Sequence, residues 1–237
     1  MRRRTVAVLD TLPGAHACAT SAALIHRLPL LTVPAGVEVA SRPAKRTGRP
    51  GLSARPAWGH DPVRRDGVLV QTMADAVIEV AGRHGCETGL MVADAALHSG
   101  VDAATLDESL DLYDHRVGVT AARTVVALAD ARIESPGESR VRWVCHTAGI
   151  VLEPQFPLLD EWGHVFARAD FRVVGTNVLV EFDGLLKYAD PAALRAEKMR
   201  QLRLERLGYR IVRLTWRDLD RPGLVIAMIR EAISRAA

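Results

Sequence analysis

The chain has 237 residues, with 31 lysines and arginines against 28 aspartates and glutamates, and a formal net charge of +3. Hydrophobic residues make up 49% of the chain, the ordinary share of a globular protein, which excludes low-complexity disorder and fibrous repeats. No apolar run approaches the roughly 20 residues of a membrane span, and the run after the basic N-terminus is too short for a secretory signal. Because the three cysteines are distant in sequence, they argue against a disulfide framework or a cysteine-based zinc site, and we expect a cytoplasmic protein without a membrane partner.

The first half of the chain is predicted to be mostly helical, with one irregular stretch. A short helix over 21–28 ends at Pro29, and residues 31–70, with five prolines, are predicted as loops and short extended pieces. Basic residues in this stretch form either a solvated loop surface or a phosphate-contacting patch: Arg42, Lys45, Arg46, Arg49, Arg55, Arg64 and Arg65. From 72 to 130 apolar residues recur at helical spacing. On these helices, four polar side chains are expected to be exposed: Asp75, Glu79, Asp94 and His98.

Residues 133–137 predict a boundary between two domains, 1–133 and 134–237. Pro136 and Gly137 break one helix, and Ser135 can cap the next. Glu138 follows Ser135 at the spacing of a capping box. The second half is then predicted as a helix over 138–148, extended segments near 151–158, 164–174 and 177–183, a helix near 191–207, a strand over 209–216 and a helix near 222–235. This α-β-β-β-α-β-α order predicts that the last two strands pair in parallel through a right-handed crossover.

Residues 167–184 predict a β-hairpin with one apolar and one charged face. A two-residue turn that begins at Gly175 suits the type II′ conformation. In the register that this turn sets, Phe171 faces Val180 on the apolar face, and Asp170 faces Glu181 on the other. A slip of one residue would mix the apolar set with the charges, so the pattern selects this register.

The charged face of the hairpin brings carboxylates together. Asp170 lies opposite Glu181, and Asp183 is two residues further along the same face. Because like charges directly opposite destabilise a sheet, a counterion is expected. Mg²⁺ or Mn²⁺ is the natural candidate, since hard cations prefer oxygen ligands and are held by one or two carboxylates plus substrate phosphates. The alternative is an exposed strand that Arg168 and Arg172 neutralise.

Neighbouring residues fit a phosphodiester-cleaving site. Lys187 lies just beyond the hairpin and is expected either to hold a scissile phosphate or to position the attacking water; otherwise it is a surface charge. Glu138 is either a further ligand or water-positioning base, or only part of the capping box. The helix after the hairpin carries basic residues, most of them solvated and some facing a nucleic-acid backbone. The nucleic-acid contacts predicted from this region are Arg168, Arg172, Arg195 and Lys198.

Residues 134–237 resemble the very-short-patch-repair-endonuclease-like branch of the PD-(D/E)XK nuclease superfamily. The matching pieces are Glu138, Ala169-Asp170-Phe171, Glu181-Phe182-Asp183-Gly184 and the ending Gly208-Tyr209-Arg210-Ile211-Val212-Arg213-Leu214-Thr215-Trp216. The resemblance implies a restriction-endonuclease-like αβββαβ core, within an α/β (α+β) fold, and Mg²⁺- or Mn²⁺-dependent cleavage of DNA. By position it implies a metal at Asp170 and Glu181, with Glu138 and Asp183 assisting and Asp183 counted among the ligands. Asp183 stands where the superfamily motif has lysine, and Lys187 stands where close relatives often have histidine. The structural zinc of the repair enzyme has no counterpart here.

Residues 1–130 are similar to the middle region of AbiEi-like antitoxins and regulators. The match consists of Ser21-Ala22-Ala23, Leu28-Pro29 and the helical run 93–97, and no winged helix–turn–helix is evident. The sequence therefore predicts a metal-dependent DNA endonuclease of phage defence or DNA repair. The alternative is a non-catalytic DNA-binding or protein-binding regulator of a toxin–antitoxin locus. The sequence leaves open whether the chain forms a homodimer or has a partner protein.

Overall fold

The structure is a computed structural model that describes residues 1–42, 49–184 and 191–236, with the backbone alone for 191–194 and 196. The chain divides into two compact units, Met1–Pro136 and Gly137–Ala237; the sequence had placed the boundary after residue 133. Among the described helices, none combines the length and the apolar character that crossing a membrane requires.

The first unit combines six helices and five strands among its described residues. The helices are α1 (Arg2–Asp10), α2 (Ala19–His26), α3 (Met73–His84), α4 (Cys86–His98), α5 (Ala103–Leu112) and α6 (Val119–Leu128). The strands are β1 (Ala15–Ala17), β2 (Val37–Ser41), β3 (Leu52–Pro56), β4 (Val63–Arg65) and β5 (Val68–Val70). They form one mixed sheet in the order β3-β2-β1-β5-β4, in which β2 pairs in parallel with β3 and β1 with β5. The sequence had predicted only short extended pieces here, because strands of three to five residues separated by proline and glycine carry little periodicity.

Three acidic side chains in the first unit are buried, contrary to the expectation of exposure: Asp75, Glu79 and Asp94. Asp75 lies in the first turn of α3, which Thr72 caps, and its Oδ2 accepts a hydrogen bond from the His60 backbone N–H at 2.9 Å. Asp94 accepts one from the Asp130 backbone N–H at 2.8 Å. His98 is exposed, as expected. These buried carboxylates accept hydrogen bonds from donors in distant segments of the chain. Helical periodicity does not reveal such partners, so it could not predict that the carboxylates are buried.

The basic stretch of the first unit is in part a buried ion-pair network. Arg55 is buried, and its guanidinium contacts Glu79 Oε2 at 2.5 Å and Glu38 Oε1 at 3.1 Å. This residue is therefore neither a solvated loop charge nor an accessible phosphate contact. Lys45 and Arg46 of the same stretch lie outside the described residues.

The second unit is built in the predicted order of elements. Its helices are α7 (Pro136–Thr147), α8 (Pro191–Arg206), the short α9 (Trp216–Leu219) and α10 (Pro222–Ala236). Its strands are β6 (Leu152–Leu159), β7 (Val165–Val173), β8 (Val178–Phe182) and β9 (Arg210–Leu214), in the sheet order β6-β7-β8-β9. The β6–β7 and β7–β8 pairs are antiparallel and the β8–β9 pair is parallel, which confirms the predicted parallel pairing of the last two strands. With a mixed sheet in each unit, the predicted α+β class is confirmed.

The predicted hairpin register is confirmed, since Phe171 pairs with Val180 across β7 and β8. Both residues are fully buried, as the apolar face requires. The opposite face is also covered in part, because Leu179 packs with Leu204 of α8. The carboxylates on that face therefore lie beside a helix rather than on an open sheet surface.

Candidate functional site

Polar side chains form one row across the sheet of the second unit. Glu181 pairs with Arg213 across β8 and β9. The confirmed register of β7 and β8 places Asp170 opposite Glu181. On the other side of β7, the pairs that flank Gln155 place this residue beside Asp170. The row therefore runs Gln155, Asp170, Glu181, Arg213, with one residue from each strand.

Asp170 is the carboxylate of this row whose pKa is raised. Burial, and to a lesser extent the negative charges of Glu138 and Glu181, raise the pKa of its carboxyl group to about 6. The Phe182 backbone N–H, which donates to Asp170 Oδ2 at 2.7 Å, and the Arg200 guanidinium act in the opposite direction. Near neutral pH this group is thus ionised, although its surroundings destabilise the ionised form. A divalent cation bound to the carboxylate would stabilise that form.

Glu138 reaches the same region from α7. Its side chain is buried, at 5% exposure, and its Oε2 accepts a hydrogen bond from Gln155 Nε2 at 3.2 Å. Gln155 itself has a φ of +56°, in the left-handed region that a glutamine within a strand rarely adopts. Such backbone strain persists only where the surroundings enforce it, and it concentrates at functional sites. The residue preceding Glu138, Gly137, makes room for the site, because a Cβ there would lie 2.0 Å from Phe182 Cε1.

Sequence reasoning did not single out Gln155. Segment 151–158 was predicted as extended, but its register against β7 was not, so nothing marked this residue as the neighbour of Asp170. The usable signal is a single amide side chain between two prolines three residues apart, since Pro154 and Pro157 flank Gln155-Phe156. That signal acquires meaning only when the pairing is known.

Glu181 is held by guanidinium groups. Arg200 of α8 donates from Nη2 to Glu181 Oε1 at 2.5 Å, and Arg213 Nε lies 3.6 Å from Oε2. Glu197, also on α8, contacts the same two arginines. This network compensates part of the predicted repulsion, and it uses residues other than the two arginines that the sequence suggested. Arg172 instead pairs with Glu153 at 2.7 Å.

Two of the predicted catalytic residues follow β8 in the chain, Asp183 and Lys187. Asp183 is half-buried at the end of the hairpin, and its backbone N–H donates to Leu214 O at 2.8 Å. Lys187 lies outside the described residues.

The predicted nucleic-acid contacts divide between two elements. Arg195 and Lys198 are exposed on α8, and Arg168 is exposed on β7. Arg172, half-buried, lies over the Phe156 ring at 4.2 Å, so its ion pair and this stacking occupy it. The exposed cations therefore lie chiefly on α8.

Within the described ranges, no three histidine, cysteine, aspartate or glutamate side chains converge as ligands of one metal ion. Asp170 and Glu138 remain as carboxylates that influence each other electrostatically. Mg²⁺ is commonly bound by one or two carboxylates, with water and substrate phosphates completing its shell. The donor set fits a cation of that kind, and it does not fit a preformed cage of protein ligands.

The fold and this row define an α+β protein whose second unit carries a buried acidic centre beside a basic helix.

No protein-family model matches the chain. The chain is 30% identical over 244 residues to the uncharacterized protein Rv2248 of Mycobacterium tuberculosis (strain ATCC 25618 / H37Rv), and the match covers 98% of this chain and 86% of that protein. This chain therefore belongs to the same family as Rv2248. The uncharacterized protein MT2308 of M. tuberculosis (strain CDC 1551 / Oshkosh) matches with the same values, 30% identity over 244 residues, 98% of this chain and 86% of that protein. Among solved structures, the catalytic domain of homing endonuclease I-Bth0305I matches at 18% identity and a TM-score of 0.34, covering 42% of this chain and 95% of that domain. A TM-score this low is not evidence for a shared function.

Proposed function

We propose that the second unit is a metal-dependent DNA endonuclease whose centre is Asp170. The observation that carries this proposal is the raised pKa of a carboxyl group flanked by two further acids on neighbouring elements, Glu138 and Glu181. Carboxyl groups with a raised pKa and acidic neighbours concentrate at functional sites, because clustering like charges does not stabilise the fold.

Each residue of the centre has a role in this proposal. Asp170 and Glu138 hold Mg²⁺ or Mn²⁺, and a bound ion of this type activates water and stabilises charge on phosphate oxygens. Glu138 takes the ligand position that the sequence had assigned to Glu181, because Arg200 and Arg213 contact Glu181. Gln155 orients Glu138 through its amide. Asp183 and Lys187 keep their predicted roles, the first assisting the ligands and the second holding the scissile phosphate or positioning the attacking water; a lysine at the phosphate would stabilise the transition state electrostatically.

A plasmid-nicking assay tests the proposal directly. Supercoiled DNA is incubated with the protein and Mg²⁺, Mn²⁺ or EDTA, and the variant Asp170→Asn is compared with Glu231→Gln, which removes an exposed acid of α10 that pairs with the exposed Arg235. We expect nicking with either cation, and a loss of at least about 100-fold for Asp170→Asn, the scale on which a misplaced catalytic group slows a reaction. Equal nicking by Asp170→Asn and the parent protein would refute the assignment.

The second candidate is a non-catalytic DNA-binding or protein-binding regulator. It is favoured by the contacts of Glu181, because a carboxylate already bound to Arg200 and Arg213 has less need of a cation. Metal titration of thermal stability separates the two candidates. A ligand at 100 times its Kd stabilises the folded state by about 2.7 kcal/mol. A rise in Tm with Mn²⁺ that Asp170→Asn abolishes supports the nuclease, whereas an unchanged Tm with intact DNA binding supports the regulator.

A further inference from the structure

The turn between β6 and β7 presents an exposed tryptophan on a rigid support. Trp162 is 72% exposed. The turn is fixed by Asp160, whose Oδ1 accepts hydrogen bonds from the backbone N–H groups of Trp162 at 3.0 Å and His164 at 2.8 Å. Gly163 completes it with a φ of +81°. Because the backbone of the turn is already ordered, binding of a ligand to the indole would cost little backbone conformational entropy.

An apolar surface on α8 faces the same region. Trp162 and Phe166 line a cavity of about 700 Å³ together with Met199 and Leu202 of α8. Met199 is 65% exposed and Leu202 is 40% exposed. Exposed apolar side chains scattered singly need no explanation, but a contiguous group around a cavity marks an interaction site.

The residues that line this cavity carry a small excess of positive charge, three arginines against two acids: Arg200, Arg203, Arg206, Asp160 and Glu161. Arg203 lies over the Phe166 ring at 3.8 Å, and Arg206 lines the cavity beside it. Within the described part of the chain, the ion pairs between α8 and the sheet join Arg200 to Glu181 and Glu197 to Arg213, and Glu197 also contacts Arg200. Glu205 accepts a hydrogen bond from Gln201 instead. Among the described residues, Arg203 and Arg206 therefore have no carboxylate partner.

We propose that Trp162, Arg203 and Arg206 form a binding surface for single-stranded DNA. A polyanion with flat apolar faces is the ligand that satisfies unpaired guanidinium groups and an exposed indole together. A second copy of the chain would cover the apolar part but would repeat the same positive charge. Single strands fit better than duplex, because a base can stack on Trp162 only when it has left the stack of its own helix. The inference names the substrate class of the proposed nuclease and rests on that proposal in this respect.

Binding is measured without cleavage, in EDTA, with a fluorescein-labelled 20-residue oligothymidylate and with a duplex of equal length. Trp162→Ala is expected to weaken single-strand binding by about 5- to 140-fold, the conversion of about 1–3 kcal/mol of base stacking. Trp162→Phe, which keeps an aromatic face, is expected to retain most of the affinity. Val151→Ala is the matched control, since Val151 is another exposed apolar residue of the same unit. The double variant Arg203→Gln/Arg206→Gln is expected to reduce the dependence of Kd on salt.

The possible results separate this proposal from the nuclease proposal. Oligothymidylate should quench indole fluorescence in the parent protein, and Trp162→Phe should remove most of that quenching. Unchanged Kd values for Trp162→Ala, or a preference for duplex, would overturn the inference even if Asp170 proves essential for cleavage. Loss of a dimer in Trp162→Ala with unaltered DNA affinity would assign the surface to a second copy and would likewise overturn it. Binding that depends on Trp162 in a protein that never cleaves DNA would support the surface and refute the nuclease.

Discussion

Replacing Asp170 with asparagine should make the second unit more stable at neutral pH, although it removes the centre of the proposed site. Asparagine keeps an oxygen that accepts the hydrogen bond from the Phe182 N–H, but it cannot ionise. In the parent protein, burial and the charges of Glu138 and Glu181 raise the pKa of Asp170 to about 6. The folded state therefore binds this proton more tightly than the unfolded state does.

The sign of the pH dependence follows from that difference. The contribution of protonated Asp170 to stability is complete below the ordinary pKa near 3.8, and it is lost as the pH rises to about 6. Each pKa unit corresponds to about 1.4 kcal/mol, so the full shift would correspond to about 3 kcal/mol. Solvent screening of a partly exposed side chain reduces this value, and we expect Asp170→Asn to gain about 1–2 kcal/mol over the parent above pH 6.

Urea unfolding at pH values from 4 to 8, in EDTA, measures this difference. Trp58 is the one tryptophan of residues 1–136, so a Trp58→Phe background makes indole fluorescence report on the second unit. The free energies of unfolding of the parent and of Asp170→Asn should converge near pH 4 and separate between pH 4 and pH 6. Saturating Mn²⁺ should reverse the order at pH 7 by stabilising the parent alone. A constant difference across the whole range would refute the reasoning, and Glu231→Gln controls for the loss of an exposed carboxylate elsewhere in the same unit.

Substitutions at four further positions test packing and backbone strain in the second unit and the buried ion pairs of the first. Gly137→Ala should destabilise the second unit by about 1–3 kcal/mol in urea unfolding, because its Cβ would overlap Phe182. Gly223→Ala, in a helix with nothing within 4 Å of the new Cβ, should instead stabilise it by about 0.5 kcal/mol. Gln155→Gly should be more stable than Gln155→Ala by about 1 kcal/mol, since both lose the amide and only alanine keeps the strained φ; equal stabilities would show that the strain is relieved elsewhere. Arg55→Met should cost the first unit about 3–5 kcal/mol by calorimetry, because two glutamates would be left buried without their cation; a cost below about 1 kcal/mol would contradict the buried network.

The order of elements in the second unit was predictable because its signals are local. Alternation of apolar and polar residues and a turn glycine at Gly175 suffice to fix the register of β7 against β8. The sheet of the first unit has no such signal. Its parallel pairs join short strands such as Val37–Ser41 and Leu52–Pro56, whose partners are set by chain topology rather than by local sequence.

The candidate site was predictable only along the hairpin. Asp170 and Glu181 lie on adjacent strands joined by a short turn, so their proximity follows from the register. Gln155 depends on a second strand pairing, and Arg200 depends on where α8 lies over the sheet. Neither is encoded by spacing along the chain, and both change how the carboxylates behave.

Arg200 links the acidic row to the basic helix. Its guanidinium contacts Glu181 and lowers the pKa of Asp170, and it also lines the cavity beside Trp162. A phosphate bound at that cavity would compete with Glu181 for the same cation. The carboxylates would then carry more uncompensated charge, and their demand for a divalent cation would increase. The pairing of Glu181 with Arg200 is thus compatible with a cation site that is completed by substrate, and binding of DNA and binding of metal should reinforce each other.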